Sequence, residues 1–294
     1  MAAATEEVIP ETAEDAAVVL LQVGLSSTAR SIEGTRPRRK TSIILPQGAT
    51  DAEYTDFEQP LQVFPFDALN RKEFVNGGSC VATVIHPRHA VTAAKCFVGL
   101  GVNATNATIQ VTINGKSRVT SGVLFDPAWS CYLQGPAYHD VALLRFPEDL
   151  DVTPAALYET SDEEGKDFFM MGWGDVGRPN DTLSSITRCN ETEEGCRFRL
   201  ARNRFSGFSA AGLVLDYKFD DPSDQSNIYS VPDEGLASTG DTGSPAIILG
   251  QVAGVHSHSA CCNYGSVGHY TRISNRLGWI KKAVGGNYSL KATC

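Results

Sequence analysis

The sequence predicts an all-β fold, and three observations carry the prediction. Short runs rich in β-branched and apolar residues recur along most of the chain. Gly, Pro, Asn and Asp punctuate those runs at turn-like intervals. A helical spacing of apolar residues closes the pattern only near the C-terminus. With 294 residues, 42% of them hydrophobic, the chain is long enough to bury a core as one large domain or two smaller ones.

Residues 1–43 differ in character from the rest of the chain. Glu6, Glu7, Glu11, Glu14 and Asp15 precede the first basic residue, Arg30, and the apolar run Ala16 to Leu21 is short. A secretory signal has a positive start ahead of its apolar core. This stretch is therefore read as an N-terminal leader or pro-segment without ordered structure, with the true N-terminus missing as the preferred explanation. Arg36-Pro37-Arg38-Arg39-Lys40 is a basic cluster on a proline-broken linker, either a processing site or a solvated charge run.

Val81 to Ile85, Ile109 to Ile113 and Val141 to Phe146 are predicted strands, with turn signals at Asn76-Gly77-Gly78 and Asn114-Gly115. Pro147-Glu148-Asp149 and Asp162-Glu163-Glu164-Gly165 mark a linker between two halves. In the second half the predicted strands are Phe168 to Met171, which enters Gly172-Trp173-Gly174, then Gly212 to Leu215 and Asn227 to Val231. The apolar run Ala246 to Leu249, Val252 to Ser259 and Gly268 to Ile273 complete the set. Leu277, Ile280 and Val284 recur at helical spacing, with Ser274 as the expected N-cap and Gly285 as the stop, for a helix over about 275–284.

A net charge of −9 with no long basic run argues against nucleic acid and anionic membrane as main partners. No stretch approaches the roughly 20 apolar residues that cross a bilayer. Eight cysteines suit a disulfide framework. Metal binding competes with that reading, but no C-x-x-C pair occurs and Cys261 and Cys262 are adjacent. Asn-x-Ser/Thr sequons at Asn103, Asn106, Asn180, Asn190 and Asn287 also point to the secretory route, hence a secreted glycoprotein. His256 and His258 are expected on one face of a strand, where they lack a third ligand, so neither a metal nor a cofactor is predicted.

The chain turns on Gly240-Asp241-Thr242-Gly243-Ser244-Pro245. Small residues on both sides permit a sharp bend in which the N–H groups of Gly240 and Thr242 converge on one point, with the Thr242 hydroxyl beside it. That is the form of an oxyanion hole. The stretch resembles the nucleophile loop Gly-Asp-Ser-Gly-Gly-Pro of the chymotrypsin and trypsin-like serine peptidases, with Thr242 in the nucleophile's place and Ser244 in a glycine's. Further anchors resemble the family in the right order: Gly77-Gly78-Ser79-Cys80, Thr92-Ala93-Ala94-Lys95-Cys96, and His139-Asp140-Val141-Ala142-Leu143-Leu144. Cys80 and Cys96 stand sixteen residues apart, as in the family's most widespread disulfide. Lys95 occupies the position of the catalytic histidine, and Asp140, forty-five residues on, that of the triad aspartate.

The resemblance implies a trypsin-like peptidase domain over 44–294, built as two packed Greek-key β-barrels, the first over about 60–155 and the second over about 166–273. It implies a substrate cleft lined by Ser257, His258, Ser259 and Gly268, with Leu236, six positions before Thr242, on the pocket floor. With no acid there, the pocket would favour apolar side chains. Ile43 and Ile44 resemble the start of the activated enzyme, whose freed amino group pairs with the aspartate before the nucleophile, here Asp241. No basic residue directly precedes either one, and Pro46-Gln47 replace two glycines. Ser238 stands where the family has a pocket-bracing cysteine. Cys189 with Cys196 is a plausible local bridge, while Cys131 and Cys294 have no assigned partner.

The triad so implied is degenerate. A charged lysine has only donors and cannot accept the hydroxyl proton. Its pKa of about 10.4 would have to fall by roughly 3 units, about 4 kcal/mol, to serve as a base at neutral pH. The carboxylate of Asp140 is expected to oppose that fall by ion pairing, and the extra methyl of Thr242 crowds the attacking geometry. The expected function is a noncatalytic peptidase homologue that binds a protein or peptide in the cleft as decoy, cofactor or inhibitor. The alternative is an endopeptidase with Thr242 as nucleophile and an unorthodox base, for which His258 is the best-placed substitute.

Overall fold

In the computed structural model, residues 68–73, 79–98, 108–113, 116–129, 138–175, 177–179, 199–224, 226–231, 234–260 and 262–286 are described. The expectations for residues 1–43, for the Ile43 and Ile44 start, for the sequons and for Cys131, Cys189, Cys196, Cys261 and Cys294 lie outside them.

Seven strands of the first half are β1 (Leu69–Glu73), β2 (Ser79–His86), β3 (His89–Thr92), β4 (Gln110–Ile113), β5 (Lys116–Val119), β6 (Gly122–Phe125) and β7 (Ala142–Arg145). Five of them form an antiparallel sheet in the order β1-β2-β3-β7-β6, and β4 with β5 forms a hairpin whose β4 runs beside β1. Burial in β4 alternates, with Val111 and Ile113 inside, as a half-covered strand requires. Val81, Val84, Val91, Val123, Leu143 and Leu144 pack as the core of this half.

The second half is a closed six-stranded barrel of β8 (Asp167–Gly172), β9 (Arg199–Ser209), β10 (Val214–Lys218), β11 (Pro245–Ile248), β12 (Gln251–Ser259) and β13 (Val267–Arg272), in the order β10-β13-β12-β11-β8-β9. Closure leaves it no free sheet edge. Aromatic rings fill its interior: Phe168 stacks on Phe205 at 4.0 Å and meets Tyr217 and Tyr270 edge-on at 5.3 and 5.4 Å. Between the halves the linker is bonded to both, since the Ala155 N–H donates to Val84 O at 2.8 Å and the Tyr158 N–H to Val252 O at 2.9 Å.

Three local expectations are corrected. Asn227 to Val231 is no strand but a pair of turns, because the Asn227 side chain accepts the Tyr229 N–H at 2.9 Å and takes the chain out of extended geometry. The strand predicted from Gly212 begins at Val214, after Ala211 and Gly212 bend with φ of 56° and 83°. Ser274 does not cap the helix. It lies in a single 3₁₀ turn, Ser274–Arg276, and its hydroxyl donates to Glu163 Oε1 at 2.6 Å; α1 (Leu277–Val284) starts beyond that turn. Helix α1 buries Ile280 and Ala283, and Lys281 and Lys282 in its last turn complement the helix dipole.

Candidate functional site

The turn from Gly240 to Pro245 is held by main-chain bonds to both halves. From the first half, the Val81 N–H donates to Thr242 O at 2.8 Å, and Thr92 Oγ1 donates to Val81 O at 2.7 Å. From the barrel, the Gly243 N–H donates to His256 O at 2.8 Å, and the His256 N–H returns to Ser244 O at 2.8 Å. Gly243 is required here: its φ is 87°, and a Cβ would lie 2.2 Å from Val81 O. Gly240 also has a positive φ, 97°. Among the described residues, the N–H groups of Gly240 and Thr242 have no internal acceptor, and the half-buried Thr242 hydroxyl has no hydrogen-bond partner.

Asp241 points inward and is buried. Its Oδ1 accepts the Gly174 N–H at 2.7 Å, and its Oδ2 accepts the Ser238 N–H at 2.9 Å and the Ser238 hydroxyl at 3.1 Å. Gly172 and Gly174 yield the space, since a Cβ on them would sit 2.0 and 2.6 Å from Asp241 side-chain atoms. Burial pushes this carboxyl up to about 7, against the hydrogen bonds from Ser238 and Gly174.

Lys95 sits in the 3₁₀ turn Ala94–Phe97, which the disulfide Cys80–Cys96 ties to β2 across a Cα separation of 6.3 Å. Its main-chain N–H donates to Asp140 Oδ1 at 2.7 Å. Its ammonium donates to Ser257 O at 2.7 Å and stands 3.9 Å from Asp140 Oδ2. The Ser257 hydroxyl completes the shell, donating to Asp140 Oδ2 at 2.7 Å. Lys95, Asp140 and Ser257 thus meet, but the closest contact of the ammonium is a carbonyl, not the carboxylate. Burial lowers the Lys95 pKa from its ordinary value and outweighs the raising effect of Asp140, opposite to the direction expected from the ion pair alone. Burial raises the carboxyl of Asp140, which the Lys95 charge and the bonds from Lys95, Ser257 and Ala94 oppose.

His256 and His258 do not share a face. A bulge between them pairs His256 with Tyr270 and His258 with His269, so one ring turns into the barrel and the other out. His256 lies 5.2 Å from the Tyr270 ring, and burial, then the Lys95 charge, push it down to about 3. His258 stacks on His269 at 4.5 Å and 28°, and burial, then His269, push it down to about 4. Its hydrogen-bond partner is the Ser257 hydroxyl, at a long 3.5 Å.

Leu236 is fully buried, and Ala237 and Gly268 are buried beside it, while Ser259 is half-buried. Among them lies Tyr217, a residue that no sequence motif singles out. It faces Gly268 across the β10–β13 ladder, and its hydroxyl accepts the Ala237 N–H at 3.1 Å and meets Ser259 Oγ at 3.3 Å. Cys262, near this region in sequence, is buried and disulfide-bonded.

Known proteins agree with this architecture. The family model described as Trypsin matches residues 58–280. Snake venom serine protease homolog KN4 of Trimeresurus stejnegeri is 26% identical over 228 residues, covering 73% of this chain and 80% of that protein. Alpha-fibrinogenase of Macrovipera lebetinus is 29% identical over 231 residues, covering 74% and 82%. Among solved structures, neuropsin, a serine protease expressed in the limbic system of mouse brain, superposes with a TM-score of 0.54 at 16% identity, over 73% of this chain and 92% of that one. The structural likeness shows the double β-barrel fold, with its short C-terminal helix. The family model spans most of the chain, which therefore belongs to the trypsin family of serine peptidases and their homologues.

Proposed function

We propose that this chain is a noncatalytic member of the family that works outside the cell by binding a protein or peptide partner in the cleft between its halves, as decoy, cofactor or inhibitor. One observation carries the reading: the Lys95 ammonium is engaged by the Ser257 carbonyl, while the Thr242 hydroxyl has no acceptor for its proton among the described residues. Acyl transfer on this scaffold needs a base within hydrogen-bond reach of the nucleophile. Removing the base from such a triad costs on the order of a millionfold in turnover. An extracellular setting is supported by the disulfides and by venom relatives. The net charge of −9 disfavours nucleic acid as the ligand.

The second reading is an endopeptidase with Thr242 as nucleophile. It draws on the unengaged N–H groups of Gly240 and Thr242, the donors an oxyanion would need, and on the lowered pKa of Lys95. Incubating the purified protein with a fluorophosphonate probe and casein separates the two. The expected result is neither label nor turnover. Labelling at Thr242 that disappears in Thr242→Ala overturns the noncatalytic reading.

Among the described residues, no helix is long and apolar enough to cross a membrane.

A further inference from the structure

We propose that Tyr217 is the resident occupant of the side-chain pocket beneath the cleft, so that a partner docks on this face without inserting a side chain there. The residues around the ring are those the family resemblance gives to a substrate pocket: Leu236 on the floor, Ser259 at the cleft-lining strand and Gly268 on the wall. Gly268 leaves the ring its space, for a Cβ there would lie 2.2 Å from Tyr217 Cε1 and Cζ and 2.3 Å from the hydroxyl oxygen. Tyr217 stands directly opposite Gly268 in the β10–β13 register, so the backbone aims the ring into the gap.

The fit is polar as well as steric. The hydroxyl accepts the Ala237 N–H at 3.1 Å and lies 3.3 Å from Ser259 Oγ, so a buried donor is satisfied by the occupant itself. The ring packs against Phe168 at 5.3 Å and Tyr270 at 5.5 Å. Tyr217, Leu236 and Tyr270 belong to one core cluster and have no exposed surface, so solvent reaches none of them. A pocket open to a ligand would leave its floor and wall wetted in the free protein. Here the chain supplies the phenol that a tyrosine-bearing ligand would otherwise bring.

The inference deepens the binding reading and rests on it for the partner, but its test does not depend on activity. In Tyr217→Ala the vacated slot is expected to bind phenol, read by calorimetry and as a rise in melting temperature, whereas the unaltered protein shows neither effect at millimolar phenol. Benzene, which lacks the hydroxyl, is expected to bind the variant at least fivefold more weakly. Phenol raising the melting temperature of the unaltered protein as much as that of the variant overturns the proposal, as does a folded variant that binds no phenol. Should Tyr217→Ala fail to fold, Tyr217→Phe decides. It keeps the ring and removes the hydroxyl, so amide exchange at Ala237 should quicken at least tenfold while phenol stays excluded; unchanged exchange overturns the proposal. Failure of either arm leaves the noncatalytic reading standing, and labelling of Thr242 would leave the occupied pocket standing.

Discussion

The ammonium of Lys95 donates to the carbonyl oxygen of Ser257 at 2.7 Å, and the hydroxyl of the same Ser257 donates to Asp140 at 2.7 Å. Lys95 therefore serves as a clamp between the first sheet and strand β12, with its charge beside a carboxylate that has no exposed surface. Replacing it by methionine keeps the stem and removes the donor. We expect Lys95→Met to lose about 1–3 kcal/mol in urea denaturation at neutral pH, below the roughly 3–5 kcal/mol of a fully buried broken pair because the lysine side chain is 30% exposed. The loss should shrink in acid, where Asp140 is protonated and needs no cation.

Asp241 gives the fold a pH dependence of definite sign. Its carboxyl rises from an ordinary 3.8 to about 7 on folding. Between those values the folded chain holds a proton that the unfolded chain has released. Stability from this group is fully present below about pH 4 and is lost as pH rises through 7. His256 works in the opposite sense: it is held down to about 3 from 6.5, so its contribution is lost as pH falls below 6.5. The two are separated by Asp241→Asn, which should be less stable at pH 4 yet show a flatter stability profile between pH 4 and 7. Thermal unfolding across that range is the measurement, and an unchanged slope would contradict the assignment.

Gly243 is where the turn meets the first sheet. A methyl group there would face Val81 O at 2.2 Å and Thr92 Oγ1 at 2.4 Å on a backbone with φ of 87°. Strain and overlap act together, so Gly243→Ala is expected to cost about 3 kcal/mol or more in denaturant unfolding. A cost below about 1 kcal/mol would mean that the turn can move away from Val81 without penalty.

How much of the molecule is legible in its sequence depends on the range of the physics involved. Strand β4 rests on local alternation of apolar and polar residues. The meeting of Lys95 with Asp140 came from motif spacing. Strand β9, by contrast, contains Arg202, Asn203, Arg204, Ser206 and Gly207, a composition that looks like loop until closure of the barrel supplies its partners. The role of Tyr217 depends on its register opposite Gly268, fifty-one residues away, and the separation of His256 from His258 depends on one bulge. Neither leaves a local signature.

Ser274 shows how a capping signal can be diverted by a distant charge. Glu163 is fully buried; it accepts Arg272 Nε at 3.0 Å and Arg272 Nη2 at 2.6 Å, and the Ser274 hydroxyl adds a third bond at 2.6 Å. The Arg272 guanidinium lies 4.3 Å above the Phe208 ring, which fixes its plane. A carboxylate in this position needs every donor it has, so Glu163→Gln, which leaves the arginine without a counter-charge, should cost about 3–5 kcal/mol. Ser274→Ala should cost about 1.5–3 kcal/mol, the range for a hydrogen bond to a charged group. If the serine acted as a helix cap, its effect would be independent of residue 163. The contact with Glu163 instead predicts coupling: in a double-mutant cycle, Ser274→Ala should cost only the roughly 0.5–1.5 kcal/mol of a neutral hydrogen bond once Glu163 is glutamine. Strict additivity of the two substitutions would restore the capping role and remove Ser274 from the ion-pair network.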